Sequence, residues 1–289
     1  LIPGAPPSQA RRAVLVTGAS TGIGAATARV LVERGFRVWA GVRDESAAQR
    51  LRELGPQCMP ITLDVTSAEQ IAAAAQRIAG DGGLYGLVNN AGIVVSAPLE
   101  AIPLDAFREQ LEVNVVGTLA VTQAMLPMLR AARGRIVMMS SIGGRNALAF
   151  IGPYAASKYA VEALSDSLRG ELASSGIEVS VIEPGAVKTP IWERSKARGM
   201  ALADALDPAM RARYEADITT MLRASEKIGA HGIPPERVGV VVAHALSARR
   251  PRTRYLVGRE ARLQLALKTL LPDRLRDRVI RAYLQRLAK

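Results

Sequence analysis

Short apolar runs alternate with amphipathic stretches through the first two thirds of the chain. Ala13 to Thr17 (AVLVT) runs into a glycine-containing turn and then the helical pattern IGAATARVLVERG, with Gly35 as its stop. Arg37 to Gly41 reads as a strand, Ser46 to Leu54 as a helix and Cys58 to Leu63 as a strand. Ser67 to Ala79 is an alanine-rich helix capped by Thr66 or Ser67. Leu84 to Asn89 and Arg135 to Ser140 are strands on either side of a long helix, Asp105 to Ala132, that the pattern breaks near Pro127. Tyr154 to Ser174 is a helix, Ile177 to Ile182 a strand, and Thr253 to Val257 a seventh strand. This alternation predicts an α/β fold, a single doubly wound parallel sheet of about seven strands with helices on both faces.

Between Thr189 and Gly232 the strand signal disappears and helical stretches rich in Ala, Met and Arg take its place. The segment follows a strand's carboxyl end, where open α/β sheets bind ligands, so residues 190–232 are expected to form a helical lid. The organisation read from the chain is a flexible Pro-rich leader over 1–12, a catalytic domain over 13–258 that includes the lid, and a basic amphipathic helical tail over 259–289.

Composition narrows the function classes. With 49% apolar and 22% charged residues the chain is globular. A single cysteine, Cys58, and two histidines, His231 and His244, argue against a disulfide framework or a metal centre, and neither histidine is assigned to catalysis. No run of eighteen apolar residues occurs and the leader lacks an apolar signal-peptide core, which predicts a cytoplasmic protein. The net charge of +12 is concentrated in Arg249 to Lys289, where thirteen Lys/Arg face three acids. The body is nearly neutral, and the basic tail has no aromatic interleaving of the kind that binds nucleic acid.

Three stretches carry chemistry. Thr17-Gly18-Ala19-Ser20-Thr21-Gly22-Ile23-Gly24 joins the first strand to the first helix; its glycines allow a sharp turn, and the helix N-terminus offers N–H groups to a phosphate. At the end of the second strand stands Gly41-Val42-Arg43-Asp44. Arg43 suits a 2′-phosphate and favours NADP(H) over NAD(H), unless it pairs with Asp44 or Glu45; Asp44 is the residue that would reverse the preference. Tyr154 and Lys158, four apart on one helix face, join a phenol to a cation that stabilises its phenolate.

In their order and spacing these motifs resemble the classical short-chain dehydrogenase/reductase family over roughly Val14 to Thr189. Asp64-Val65 resembles the family's adenine-contacting pair, and Asn89-Asn90-Ala91-Gly92 its NNAG motif at the adenosine site. Pro184-Gly185-Ala186-Val187-Lys188-Thr189 is similar to the PGxVxT motif that holds the nicotinamide carboxamide. The resemblance implies a Rossmann-type domain and hydride transfer between a nicotinamide and a carbonyl or alcohol carbon. Tyr154 would exchange the proton, Ser141 would orient the substrate oxygen, Lys158 would tune the phenol and bind the ribose, and Asn114 would hold a relay water. It also implies a homodimer or homotetramer, formed through the helices after the fourth and fifth strands.

A looser likeness, in IEPGAVKT and HALSARRPRTRYLVG, points to the branch of retinol, hydroxysteroid and hydroxybutyrate dehydrogenases. Lid residues Ile191, Trp192, Met200, Leu202, Leu206, Met210, Met221 and Leu222 either face a lipophilic ketone or alcohol or only pack the lid. In the tail, Leu275, Val279, Ile280, Tyr283, Leu284 and Leu287 form an apolar stripe opposite arginines. That stripe fits the body of the fold or a subunit boundary, and alternatively peripheral membrane contact through 262–289. The competing functions are a dinucleotide- or lipid-sensing protein without turnover and a membrane-surface interaction protein.

Overall fold

The computed structural model describes residues 12–288. Apart from Arg12, the expected leader lies outside the described residues. Seven parallel strands form one sheet in the order β3-β2-β1-β4-β5-β6-β7. They are β1 (Ala13–Val16), β2 (Arg37–Val42), β3 (Cys58–Thr62), β4 (Gly86–Asn89), β5 (Arg135–Met139), β6 (Glu178–Pro184) and β7 (Arg254–Val257). The order reverses between β1 and β4, which opens a crevice at the carboxyl ends of those two strands.

Alternation along β1 shows how the two faces are built. Val14 and Val16 enter a core with α1 (Gly22–Glu33), α2 (Glu45–Arg52) and α9 (Pro235–Ser247). Ala13 and Leu15 enter the opposite core with α3 (Ala68–Gly80), α5 (Gly117–Ala132) and α6 (Gly152–Leu172). Cys58 is buried in the first of these cores, and burial raises its thiol to about 11, so it stays an inert apolar side chain at neutral pH.

The long helix corrects the sequence reading at one point. α4 (Leu104–Leu111) and α5 are joined by a wider π-helical turn at Glu112–Val116, and Pro127 sits inside α5 without ending it. The irregularity therefore falls around Asn114 rather than near Pro127. This 29-residue run contains an 18-residue stretch of mean hydropathy 1.3 and is long and apolar enough to cross a membrane, contrary to the expectation of no such segment. Here Val121, Met125 and Leu129 of that run are fully buried against the sheet.

The segment expected to form a lid folds as α7 (Ile191–Asp204) and α8 (Pro208–Ala230), the latter capped by Asp207, which accepts from the Ala209 and Met210 amides. The tail is α10 (Arg259–Leu270) and α11 (Asp273–Ala288). α11 packs on α8, and its apolar stripe divides: Leu284 is buried, Ile280 and Leu287 are half-buried, and Leu275, Val279 and Tyr283 remain exposed.

Candidate active site

The glycine loop is held from two sides. Gly18 and Gly22 adopt left-handed backbone angles (φ +64° and +57°), and a Cβ on Gly24 would lie 2.1 Å from the Gly18 carbonyl oxygen. Thr17 Oγ1 accepts from the amides of Asn90 (2.9 Å) and Ala91 (3.0 Å), while Asn90 Nδ2 donates to the carbonyls of Thr17 (2.9 Å) and Gly18 (3.1 Å). Gly92 lies against Asn114, so the strand ends of β1 and β4 form one rigid floor.

α1 begins at this floor with no side-chain cap and no acid in its first turn, whereas Asp44 caps α2 and Ser67 caps α3. Its free N–H groups fit a diphosphate without modification of the loop. Beyond the floor, Asp44 accepts from the Ala47 amide (2.8 Å) and the Ser46 hydroxyl (2.7 Å). The residue that would have favoured a ribose hydroxyl is thereby occupied as a helix cap. Arg43 lies 3.9 Å from Asp64, its side chain mostly exposed, and Ser46 and Arg50 line the same end of the cavity. Sequence reasoning missed Arg50; its position one turn after Ser46 on α2 was the available signal.

Ser141, Tyr154 and Lys158 meet at the far end. Ser141 follows β5 and starts a short 3₁₀ turn, Ile142–Gly144, by accepting from the Gly143 amide (3.1 Å). Tyr154 lies in the first turn of α6. Burial raises its phenol above the ordinary value, and a hydrogen bond with Ser141 pulls it back. Lys158 Nζ stands 5.7 Å from the Tyr154 ring centroid and donates to the Met139 carbonyl (2.8 Å). Burial lowers its ammonium to about 8, against the support of Glu162 one turn on. The downward pull on the phenol thus comes from Ser141 rather than from Lys158 as expected, and burial outweighs it.

Asn114 is almost wholly buried and outside the cavity wall. Its Oδ1 accepts from the Ile93 amide (2.9 Å), and its Nδ2 donates to the Ile93 carbonyl (3.1 Å) and Ser157 Oγ (3.0 Å). The side chain therefore fastens the loop after β4 to α6, which a long-range pairing of this kind hides from sequence. Its backbone carbonyl, which accepts from Thr118 Oγ1 (2.9 Å), stands at the π-helical turn.

One cavity of about 1240 Å³ joins these parts. Its wall includes Gly18, Ser20, Thr21, Gly22, Ile23, Gly24, Arg43, Asp64, Val65, Asn90, Ala91, Gly92, Ser141, Tyr154, Lys158, Pro184, Gly185, Val187 and Thr189, every expected site residue except Asn114. Lid residues Ile191, Trp192, Leu202, Leu206, Met221 and Leu222 line it as well, whereas Met200 and Met210 do not. Met200 is exposed on the outside of the lid. Leu148 and Phe150, before α6, and Leu284, from the tail, complete the apolar wall; their places depend on tertiary packing.

The cavity matches what comparison with known proteins finds. The profile of the short chain dehydrogenase family matches residues 12–199. Retinol dehydrogenase 5 of Mus musculus is 38% identical over 96% of this chain and 90% of its own length. An NADPH-dependent 3-dehydrocapnine reductase of Ornithobacterium rhinotracheale is 32% identical over 96% and 99%. A short chain dehydrogenase from Burkholderia cenocepacia J2315, solved in complex with NADP, superimposes with a TM-score of 0.71 at 30% identity, covering 96% of this chain and 99% of that one. Because the likeness runs through both the motifs and nearly the whole length, the chain belongs to the short-chain dehydrogenase family, resembles its retinol dehydrogenase branch, and is an NAD(P)-dependent oxidoreductase acting on alcohol and carbonyl groups of small molecules.

Proposed function

We propose that the protein reduces a lipophilic ketone or aldehyde, or oxidises the matching alcohol, with NADP(H) as the preferred cofactor. The observation that carries this reading is the convergence of Ser141, Tyr154 and Lys158 at the end of a cavity whose outer wall is Leu148, Phe150, Leu202, Leu206, Met221 and Leu222. The bound nicotinamide supplies or accepts the hydride. Tyr154 Oη delivers the proton to the substrate oxygen in reduction and removes it in oxidation. Ser141 Oγ donates a hydrogen bond to the same oxygen and fixes it beside the phenol. Lys158 holds positive charge behind the phenol and meets the nicotinamide ribose, and Pro184, Gly185, Val187 and Thr189 cradle the carboxamide. Asn114 acts through its backbone carbonyl, because its side chain is committed to Ile93 and Ser157.

NADP preference rests on three features of the adenosine end: Asp44 spent as a cap, and Arg43 and Arg50 in the cavity wall. Arg43→Ala is expected to weaken NADPH binding by roughly tenfold, the loss of a charge-assisted hydrogen bond, and NADH binding by less than twofold. Fluorescence titration of the two reduced cofactors reads this directly, and equal losses would contradict a 2′-phosphate contact.

The tail supports a second part of the reading. Leu275, Val279 and Tyr283 are exposed on α11 between Arg274, Arg278, Arg281 and Arg286, a pairing of apolar and cationic groups suited to an anionic lipid surface. Cosedimentation with phosphatidylserine vesicles is expected to fall sharply when Leu275, Val279 and Tyr283 are replaced by Ser; unchanged cosedimentation would remove the tail from this role.

A further inference from the structure

The lid begins against the glycine loop. A Cβ on Gly22 would stand 3.1 Å from Thr189, the residue that leads into α7, so the first turns of α1 and α7 lie side by side. Neither helix has a side-chain cap at its N-terminus, and α1 has no acid in its first turn; the acid in the first turn of α7 is Glu193, which is exposed. One turn into α7, Arg194 reaches back across the chain, and its NH2 group donates to Thr21 Oγ1 (2.9 Å). Arg194 lines the cavity beside Ser20, Thr21 and Gly22. Among the described residues no carboxylate forms an ion pair with it.

The uncapped N-terminus of α1 and the Arg194 guanidinium thus meet at the glycine loop. Convergence of that kind is unfavourable until an anion enters, and a planar fork of donors beside free backbone N–H groups is matched to a phosphate. Thr21 is a weak neutral partner, one that a guanidinium exchanges for a charged oxygen at a gain in binding energy.

We propose that Arg194 is a diphosphate-binding residue carried by the lid, so that the dinucleotide, when bound, holds α7 on the glycine loop and latches the wall of the substrate cavity. The inference rests on the dinucleotide reading of the glycine loop and adds to it a ligand from outside the strand-turn-helix unit. It makes cofactor binding and lid order a single coupled equilibrium: whatever holds the diphosphate also fixes Ile191, Trp192 and Leu202 in the substrate wall. Trp192 transmits the order to α8, since its Nε1 donates to the Val187 carbonyl (2.8 Å) and its ring packs on Gly229.

The test uses ADP-ribose, which carries the diphosphate but neither the nicotinamide nor the 2′-phosphate. Calorimetric titration is expected to show roughly tenfold or greater weakening in Arg194→Ala and a smaller loss in Arg194→Lys, which keeps the charge and loses the fork. Glu193→Gln, on the adjacent exposed position, should bind within twofold of the parent. Amide hydrogen exchange across α7 and α8 should slow when ADP-ribose is added to the parent and stay unchanged in Arg194→Ala. Arg194 is exposed, so the melting temperature without ligand should be the same in all four proteins. Affinity of Arg194→Ala within twofold of the parent, or slowing of exchange that persists without Arg194, would overturn the inference. Failure of the parent itself to bind ADP-ribose would instead overturn the dinucleotide reading on which it rests.

Discussion

Replacement of Tyr154 by Phe is expected to lower kcat by about 10²- to 10⁴-fold, the usual range for removal of a general acid, while the dissociation constant for NADPH stays within about threefold of the parent. The ring survives the substitution, so its packing against the 3₁₀ turn near Gly143 is retained and only the hydroxyl is lost. The proposed proton donor to the substrate oxygen disappears, and Ser141 keeps the Gly143 amide but loses its hydrogen bond with Tyr154. A second readout separates chemistry from disruption. In the free parent enzyme Lys158 gives up its proton as pH rises through about 8, because burial outweighs the support of Glu162. The charge behind the phenol goes with that proton, so kcat/KM for reduction should decline on the alkaline side with an apparent pKa near 8. In Tyr154→Phe the residual rate has no phenol to couple to that charge, and the limb should flatten. Turnover unchanged in the variant would sink the assigned proton transfer, as would a parent profile flat through pH 10.

The residues of the proposed site could be singled out because their types are chemically unusual in their places: a phenol and an ammonium one helical turn apart, a serine at a strand end, and glycines where a side chain would strike backbone. The sheet was legible for a related reason. A parallel strand is buried on both faces and reads as a short apolar run, and seven such runs, each bounded by polar helix, left little choice of architecture. What escaped was set by contacts between distant segments. Arg194 lies 173 residues from Thr21, and no local pattern marks a lid arginine that folds back on the first loop. The break in the long helix was assigned to Pro127 by the rule that proline lacks a donor. The π-helical turn at Glu112–Val116 instead arises where Asn114 is drawn toward Ile93 and Ser157. Asp44, the residue that would reverse the cofactor preference, is a cap in three dimensions, because α2 begins one residue earlier than its apolar pattern suggests. In the tail, periodicity marked one amphipathic stretch, which folds as the two helices α10 and α11, and could not tell that only half of the stripe would meet α8.

A large loss of stability is expected from Arg254→Met. Arg254 projects from β7 into the layer behind Lys158, where its Nε donates to Glu162 Oε2 (3.0 Å) and its NH2 group to Asp166 Oδ2 (2.8 Å). The same Nε stands 3.6 Å from Glu183, which is otherwise held by Arg145 (3.0 Å). Glu162 and Glu183 face each other, with only 8% and 1% of their side chains exposed. Burial first, and then the negative charge of Glu162, raise the Glu183 carboxyl above its ordinary value, with Arg145 opposing. Methionine keeps much of the volume and removes the cation, leaving Glu162 without its guanidinium partner and Glu183 with Arg145 alone. Breaking a buried ion network from one side costs about 3–5 kcal/mol, far more than loss of an exposed pair. The sign of the pH dependence follows from the raised carboxyl. A folded-state pKa above the unfolded 4.5 gives stability at low pH that is lost as pH rises through the folded value, and removal of Arg254 takes a positive charge away from 3.6 Å. The deficit in urea unfolding free energy relative to the parent should therefore be smaller near pH 5.5 than near pH 8. Glu162 extends from the turn after Lys158, and Glu183 immediately precedes Pro184 and Gly185, so the same variant should also loosen the cofactor cradle before it unfolds. A deficit below about 1 kcal/mol, the scale of a surface pair, or one that does not change between those pH values, would show that the carboxylates are neutralised without Arg254.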